Sequence, residues 1–209
     1  MVQIRNVPAE FHRRLKARAA IEGMSMSDYI LREVGKSLER PTRHEVLERL
    51  RTRPVRRLSQ CRGRDSGGTR RAVIVLDASA LVELILDTPT GQLVAARIAD
   101  PAEGLHVPHL ADIEVVQALR RYVREGEIDT RAAAGALDDL RALDLQRHAH
   151  EPLLERVWEL RKNLTAYDAV YVALAEVIDG VLLTCDRRLS QAPGMGRRVA
   201  LIEAERPNR

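Results

Sequence analysis

Short apolar runs alternate with amphipathic stretches from residue 72 onwards. Four apolar segments have the composition of strands buried in a sheet, at residues 72–76, 105–107, 181–184 and 199–202, and a further strand is expected near 145–148. Helical periodicity separates them, at residues 80–86, 91–99, 110–125, 130–143, 151–162 and 166–179. The order βααβααβααβαβ predicts an α/β domain with a mostly parallel sheet, flanked by helices on both faces.

The first forty residues follow a different pattern. Residues 2–6 alternate apolar and polar side chains, as a half-buried strand does. Pro8 begins a helix that ends at Gly23, and a second helix follows with Ser25 or Ser27 as its N-cap. Four apolar side chains of the first helix are expected to face inward: Phe11, Leu15, Ala19 and Ile21. One strand and two helices cannot enclose a core, so this domain, residues 1–40, should pair with a copy of itself or with another chain.

Residues 41–71 are predicted to form a tail and a flexible linker between the two domains. Thr42 and Glu45 have the spacing of a capping box at the start of a short helix. The apolar strip of that helix consists of Val46, Leu47 and Leu50. Such a strip requires a partner surface, whereas the Gly- and Ser-containing stretch after it is typical of a flexible linker.

Charge divides the chain at the same place. Residues 1–71 hold 18 Lys and Arg against 8 Asp and Glu, a net charge of +10. Residues 72–209, the C-terminal domain, hold 16 against 22, a net charge of −6. The basic part is therefore a candidate for nucleic-acid contact. Because the sequence has no signal peptide and no run of 18 apolar residues, we expect a soluble, cytoplasmic protein that contacts no membrane.

Four acidic residues of the C-terminal domain are candidates for chemistry. Asp77 and Asp186 each follow the carboxyl end of a strand, where parallel sheets gather functional groups. Glu114 and Asp168 lie in helices with few polar neighbours. Simpler interpretations remain open for each residue. The three aspartates can act as helix caps, with Thr165 as the partner of Asp168, and Glu114 can be a solvated side chain.

Brought together, these four carboxylates would need a cation among them. Buried like charges repel one another and lose hydration, which costs several kcal/mol unless the charge is compensated. Neither the two cysteines nor the six histidines have the spacing of a metal site, so oxygen ligands alone are available. A hard cation, Mg²⁺ or Mn²⁺, is the expected cofactor.

Residues 2–40 resemble the ribbon-helix-helix antitoxin and repressor family. Two chains of that family form an intertwined dimer, whose two-stranded ribbon enters the major groove of DNA. The resemblance implies that Gln3 and Arg5 read base edges of operator DNA. It also implies that the start of the second helix, around Ser25, Met26 and Ser27, binds a phosphate. The whole chain would then be at least a homodimer.

Four motifs of the C-terminal domain resemble the PIN-domain ribonucleases of the VapC toxin type, over residues 73–203. In chain order they read "VLDASALVELIL", "EVVQALRR", "LTAYDAVYVALAE" and "LLTCDRRL". Position by position, the acidic metal-binding site of the family is matched by Asp77, Glu114, Asp168 and Asp186, with Thr184 as a polar residue that supports Asp186. The resemblance implies hydrolysis of RNA assisted by Mg²⁺ or Mn²⁺. Basic residues around the site are expected to hold the RNA backbone, namely Arg120, Arg121, Arg187 and Arg188.

The two resemblances together describe an antitoxin of the VapB or FitA type fused ahead of a VapC-type toxin. We hypothesise that segment 42–53 docks on the nuclease domain, and that a basic side chain from the tail blocks the acidic site. The candidates for that inhibitory role are Arg53, Arg56 and Arg57. Two other function classes stay open: a DNA-binding autorepressor with a non-catalytic assembly domain, or a different Mg²⁺-dependent enzyme such as a phosphatase or a DNA nuclease.

Overall fold

The computed structural model describes residues 6–39, 41–51, 73–193 and 198–204. Contacts divide the chain into two compact units, Met1–Pro41 and Thr42–Arg209. The predicted ribbon side chains Gln3 and Arg5 lie outside the described residues, as do the predicted inhibitory residues Arg53, Arg56 and Arg57.

The N-terminal unit contains two helices, α1 (Ala9–Ile21) and α2 (Met26–Glu39). Gly23 turns the chain between them with φ of 67°, in the left-handed region that favours glycine. Ser25 caps α2, because its hydroxyl accepts the Asp28 N–H at 3.1 Å and donates to Asp28 Oδ2 at 2.7 Å. Ser27, the alternative cap, is the second residue of the helix.

The prediction that four apolar side chains of α1 face inward is wrong for two of them within this unit. Ala19 is buried and Leu15 is half-buried, but Phe11 is 56% and Ile21 84% exposed. Two helices offer too little surface to cover four apolar side chains. The apolar side chains left on the surface agree with the expectation that this domain requires a partner.

Five parallel strands form the sheet of the C-terminal unit. They are β1 (Ile74–Leu76), β2 (Leu105–Pro108), β3 (Leu145–His148), β4 (Val181–Thr184) and β5 (Val199–Leu201). Their spatial order is β3-β2-β1-β4-β5, and every neighbouring pair is parallel. The strand β1 is central, with Leu76 opposite Leu183 of β4. The carboxyl ends of β1 and β4, each predicted to be followed by an acid, therefore lie side by side.

Helices flank this sheet in the order that the sequence predicted. They are α3 (Arg43–Arg51), α4 (Ala78–Ile85), α5 (Pro89–Arg97), α6 (Leu110–Arg124), α7 (Thr130–Ala142), α8 (Leu154–Glu159), α9 (Ala166–Val177) and α10 (Arg187–Ser190). Predicted helix 151–162 is α8 with a 3₁₀ turn at either end. The central helix α9 buries seven consecutive residues, 169–175, because it packs against both β1 and β2 as well as β4.

The helix α3 is built into the core of the C-terminal unit. Its capping box forms as predicted, since Glu45 Oε2 accepts the Thr42 N–H at 2.6 Å and the Thr42 hydroxyl accepts the Glu45 N–H at 3.2 Å. The predicted apolar strip is buried in the same cluster as the sheet: Val46, Leu47 and Leu50. Of the segment 42–53, the described residues 42–51 therefore dock on the C-terminal domain as predicted.

Polar contacts fasten both ends of α3. At its start, the Arg43 guanidinium donates to three main-chain carbonyls in the turn after α5, those of Ile98, Asp100 and Glu103. Towards its end, Arg49 forms an ion pair of 2.7 Å with the buried carboxylate of Asp139 on α7. Removing either partner of such a pair leaves a costly unbalanced group, so these contacts add specificity to the apolar docking.

Within the described part of the chain, every helix is too short or too polar to cross a membrane.

Candidate active site

Asp77 lies at the carboxyl end of β1, held in place by β4. Its main-chain N–H donates to the Leu183 carbonyl at 3.0 Å. Its side chain is buried, and Oδ2 accepts hydrogen bonds from the hydroxyls of Ser79 at 2.5 Å and Thr184 at 2.8 Å. Asp77 occupies the N-cap position of α4, yet two hydroxyls from different elements orient its carboxylate. Such convergence on one oxygen is more than a helix cap requires.

Burial raises the pKa of the Asp77 carboxyl, and the nearby charge of Asp168 adds to that rise. The hydrogen bonds from Ser79 and Thr184 lower the pKa of Asp77 and so act in the opposite direction. The carboxylate is thus kept in a place where its negative charge is poorly solvated, which is where a cation binds most favourably.

Glu114 faces the same site from α6. Its half-buried carboxylate accepts a hydrogen bond of 2.5 Å from the hydroxyl of Tyr171, which is fully buried in α9. Burial raises the pKa of Glu114, and the charges of Asp77 and Asp168 raise it further. Asp112, the competing acid on this helix, instead forms two hydrogen bonds with Arg147 at 2.7 and 2.9 Å.

Asp168 forms the capping contacts that the sequence indicated. In the first turn of α9 its N–H donates to the Thr165 hydroxyl at 3.2 Å, and that hydroxyl donates to Asp168 Oδ2 at 2.8 Å. The capping interpretation is therefore correct. Its charge also acts on both Asp77 and Glu114, so the cap places the carboxylate beside the other two acids.

Asp186 contacts Thr184 through its main chain. Its N–H donates to the Thr184 hydroxyl at 3.0 Å, and the same hydroxyl donates to Asp77. Its exposed carboxylate accepts the Arg188 N–H at 2.7 Å as the N-cap of α10. Thr184 therefore connects Asp186 to Asp77, while Asp186 is the most solvated of the four acids.

The oxygen atoms available at this site suit a hard divalent cation. Carboxylates and hydroxyls supply oxygen donors, and the raised pKa values of Asp77 and Glu114 mark charge that a cation would stabilise. Among the residues that the structure describes, no group of three or more His, Cys, Asp or Glu side chains meets the geometry for holding a metal ion.

Two residues of the site escaped the sequence analysis. Ser79 contacts Asp77 and also lies 3.3 Å from the Thr184 hydroxyl, and it accepts the Cys185 N–H at 3.0 Å. Tyr171 holds Glu114. Spacing in the sequence could have indicated both residues. Ser79 lies two residues after Asp77, and Tyr171 lies one helical turn after Asp168.

Arg187, one of the predicted RNA contacts, is bound to another side chain of the protein. Arg187 forms a two-pronged ion pair with the buried carboxylate of Glu203, just beyond β5. Leaving Glu203 unbalanced would be costly, so Arg187 is better described as a structural residue. The side chains of Arg120 and Arg121 lie on the exposed face of α6, beside a cavity of about 520 Å³ that reaches Glu114.

Comparisons with known proteins show similarity for both domains of the chain. The family model of the PIN domain matches residues 74–195, and the model described as antitoxin FitA-like, ribbon-helix-helix, matches residues 1–33. Ribonuclease VapC9 of Mycobacterium tuberculosis is 45% identical over 119 residues, which are 56% of this chain and 89% of the relative. Ribonuclease VapC1 of the same organism is 42% identical over 129 residues, 61% of this chain and 96% of the relative.

A solved structure is also similar. The crystal structure of PAE2754 from Pyrobaculum aerophilum matches with 30% identity and a TM-score of 0.45, covering 58% of this chain and 80% of that one. The two resemblances predicted from sequence motifs are confirmed by the family models. The chain belongs to the PIN-domain family and carries a FitA-like ribbon-helix-helix antitoxin domain ahead of its PIN domain, as a fused VapB/VapC-type protein does.

Proposed function

We propose that the C-terminal domain is a Mg²⁺- or Mn²⁺-dependent endoribonuclease. Its site would consist of Asp77, Glu114, Asp168 and Asp186, with Thr184 in support. The observation that carries the proposal is the placement of three carboxylates from separate parts of the chain around the carboxyl end of β1. The charge of Asp168 raises the pKa of Asp77, and the charges of Asp77 and Asp168 raise the pKa of Glu114. Relatives of this domain are named as ribonucleases, which supports RNA as the substrate class.

The residues of the chain have distinct tasks in this proposal. A divalent cation held by the carboxylates would supply Lewis-acid activation of water and stabilise the charge of the departing oxygen. Ser79 and Thr184 hold Asp77 in one orientation, and Tyr171 holds Glu114 in another. Each of these hydrogen bonds favours the charged form of its carboxylate, and therefore its ability to bind a cation.

We further propose that the antitoxin segment inhibits the nuclease in the same chain. Its docked helix α3 fixes the start of the basic tail on the C-terminal unit. Arg53, Arg56 and Arg57 follow the last residue of α3 by two to six positions. Their positive charge is complementary to the acidic site, so any of them could occupy the place of a cation or of RNA.

Cleavage of RNA by the full chain tests both proposals. Substitution of Arg53, Arg56 and Arg57 by Ala should raise cleavage in Mg²⁺, and EDTA should abolish it. In that background Asp77→Asn should lower the rate at least about 100-fold, because it removes a carboxylate from the reacting centre. Asp138→Asn is the matched control, since Asp138 is an exposed aspartate of α7 whose partner is the exposed Arg141.

Specific outcomes would contradict these proposals. Equal cleavage by the Asp77→Asn and Asp138→Asn variants would refute the acidic site. Preferred cleavage of DNA or of a phosphate monoester would point to a different enzyme. Unchanged activity after substitution of the three arginines would refute inhibition by the tail, while leaving the nuclease proposal intact.

The N-terminal domain is proposed to repress transcription by binding operator DNA as a homodimer in the cytoplasm. Exposed apolar side chains on α1 and α2, such as Phe11 and Leu38, support pairing of this domain with a copy of itself. Gln3, Arg5 and the start of α2 at Ser25 and Ser27 would contact the DNA. Selection of duplexes from a random pool should yield a two-fold symmetric site, and Arg5→Ala should lose the selected sequence preference.

A further inference from the structure

Four of the six histidines of the chain lie in or just after the strands β2 and β3. Two of them meet directly, because Nδ1 of His106 on β2 is 2.9 Å from Nε2 of His148 on β3. The parallel register pairs His106 with Gln146, so His148, two residues further on, points to the same face of the sheet. Spacing in the sequence does not reveal this pair, since its members are 42 positions apart.

Both rings of the pair are suited to act as ligands. They are half-buried, so part of each ring still faces solvent. Burial lowers the pKa of His106 and of His148, and a neighbouring imidazole lowers each of them further. The neutral form of an imidazole is the form that binds a metal ion, and a lowered pKa favours that form at neutral pH.

Gly104 makes room for the ring of His106. A Cβ at residue 104 would lie only 2.6 Å from Nε2 of His106, at the far end of that side chain. The ring is therefore packed against the glycine on one side and directed at His148 on the other, with an angle of 32° between the two ring planes. Glycine at this position thus helps to keep the two rings in contact.

The other two histidines do not complete a larger site. Nε2 of His150 accepts the N–H of Leu110 at 2.9 Å, so its lone pair is already used at the start of α6. The exposed ring of His109 packs edge-on against His150, with 6.1 Å between the ring centroids. The pair therefore offers two protein ligands, with water in the remaining positions. This number agrees with the lack of any three-ligand group among the described residues.

The distance between the two nitrogens indicates which ion fits. An ion at the usual distance of about 2.0–2.1 Å from both imidazole nitrogens, themselves 2.9 Å apart, would have a nitrogen–metal–nitrogen angle of about 90°. Square-planar and tetragonal sites of Cu²⁺ and Ni²⁺ have that angle, whereas a tetrahedral zinc site requires a wider one. Hard cations such as Mg²⁺ prefer oxygen ligands and have little affinity for two imidazoles.

We propose that His106 and His148 bind one Ni²⁺ or Cu²⁺ ion between β2 and β3. On binding, the hydrogen bond between the rings breaks, the donor ring transfers its proton to its other nitrogen, and two nitrogen–metal bonds form. Because β3 is an edge strand, the ion joins that edge to the rest of the sheet. The site is independent of the proposed nuclease site, which consists of oxygen ligands.

Titration of the full chain with Ni²⁺ tests this site. Millimolar Mg²⁺ is kept present so that a hard cation occupies the acidic site, and a chromogenic chelator reports the free Ni²⁺. Wild type should bind one ion per chain. His106→Gln or His148→Gln should weaken binding at least about 10-fold, because each removes one of two ligands. His44→Gln is the matched control, since His44 is an exposed histidine of α3, and should leave the affinity unchanged.

Two further variants keep both ligands and separate the site from a general effect of histidine content. Gly104→Ala should weaken Ni²⁺ binding, because the new methyl group displaces the ring of His106. His109→Gln should bind Ni²⁺ as wild type does, because His109 is not a ligand. An ion that binds only the folded chain also stabilises it, so the Tm of the C-terminal unit should rise by about 5–10 °C when free Ni²⁺ is about 100 times the dissociation constant. That increase should be absent in His148→Gln.

X-ray absorption at the nickel edge examines the wild-type chain directly, and so does not depend on whether a variant folds. With one equivalent of Ni²⁺ bound, the spectrum should contain the scattering of two imidazole rings. A spectrum without imidazole scattering would overturn the proposal. The absence of Ni²⁺ binding by wild type, or equal affinities in wild type and in both variants at His106 and His148, would do the same.

Discussion

Substitution of Leu50 by Ala measures whether α3 is part of the folded C-terminal unit in solution. Leu50 is 2% exposed and lies in the same apolar cluster as the central strands. Loss of a buried leucine side chain costs about 2–5 kcal/mol in protein cores. Because α3 lies at the edge of that cluster, where relaxation is easier, we expect a loss of about 2–3 kcal/mol in the free energy of unfolding.

This loss corresponds to a decrease of about 4–12 °C in the Tm of the C-terminal unit, at about 2–4 °C per kcal/mol for a unit of its size. Thermal unfolding is followed by the fluorescence of Trp158, the one tryptophan of the chain, which lies in α8 of this unit. The matched control is Leu154→Ala, because Leu154 is a leucine of the same unit that is 57% exposed. That change should shift stability by no more than about 0.5 kcal/mol.

Equal Tm values for the Leu50→Ala and Leu154→Ala variants would show that α3 is not held in the core. Hydrogen exchange gives an independent check on the wild-type chain. The amides of residues 47–51 should exchange as slowly as those of α4 if α3 opens only when the unit unfolds.

Three further predictions concern other parts of the C-terminal unit. Tyr171→Phe should lower kcat for RNA by about 10- to 100-fold and raise the Mg²⁺ concentration needed for half-maximal rate, because Glu114 loses a charge-assisted hydrogen bond worth about 1.5–3 kcal/mol. Burial lowers the pKa values of His106 and His148, and a neighbouring imidazole lowers each of them further. Below a pH of about 6.5, the unfolded chain therefore binds protons more readily than the folded chain does. Stability should therefore fall as the pH drops through that value, and urea midpoints at pH 7.5 and 5.5 should differ less in His106→Gln than in wild type. Gly91→Ala should cost about 1–3 kcal/mol by thermal unfolding, because a Cβ there would collide with a main-chain carbonyl of α4.

The architecture of the C-terminal unit was predictable because its strands are nearly all apolar. Predicted strands 145–148 and 181–184 match β3 and β4 residue for residue. For β4 the reason is a continuous apolar run between turn signals, whereas β3 is an edge strand of mostly polar residues. The capping box at Thr42 and Glu45 was equally predictable, because it is formed by residues close in sequence. Local patterns of this kind report local structure well.

The candidate site was predictable only in part, because its supporting contacts join distant residues. The acids could be found from their positions at strand ends, but the hydroxyl of Tyr171 meets Glu114 across 57 positions of sequence. The pairing of Arg187 with Glu203 depends on how the chain returns after β5, and no spacing rule indicates it. The exposure of Phe11 and Ile21 likewise reflects what two helices can enclose, which periodicity does not measure.

Because α3 is buried in the C-terminal unit, part of the antitoxin segment folds together with the toxin domain. A protease that cut the chain between residues 52 and 72 would leave a nicked protein whose two pieces remain joined through Val46, Leu47 and Leu50 and through the contacts of Arg43. Severing the peptide bond alone would therefore not separate the two pieces. Separation would require extraction of a helix from the core, and its rate would be set by the opening of the fold.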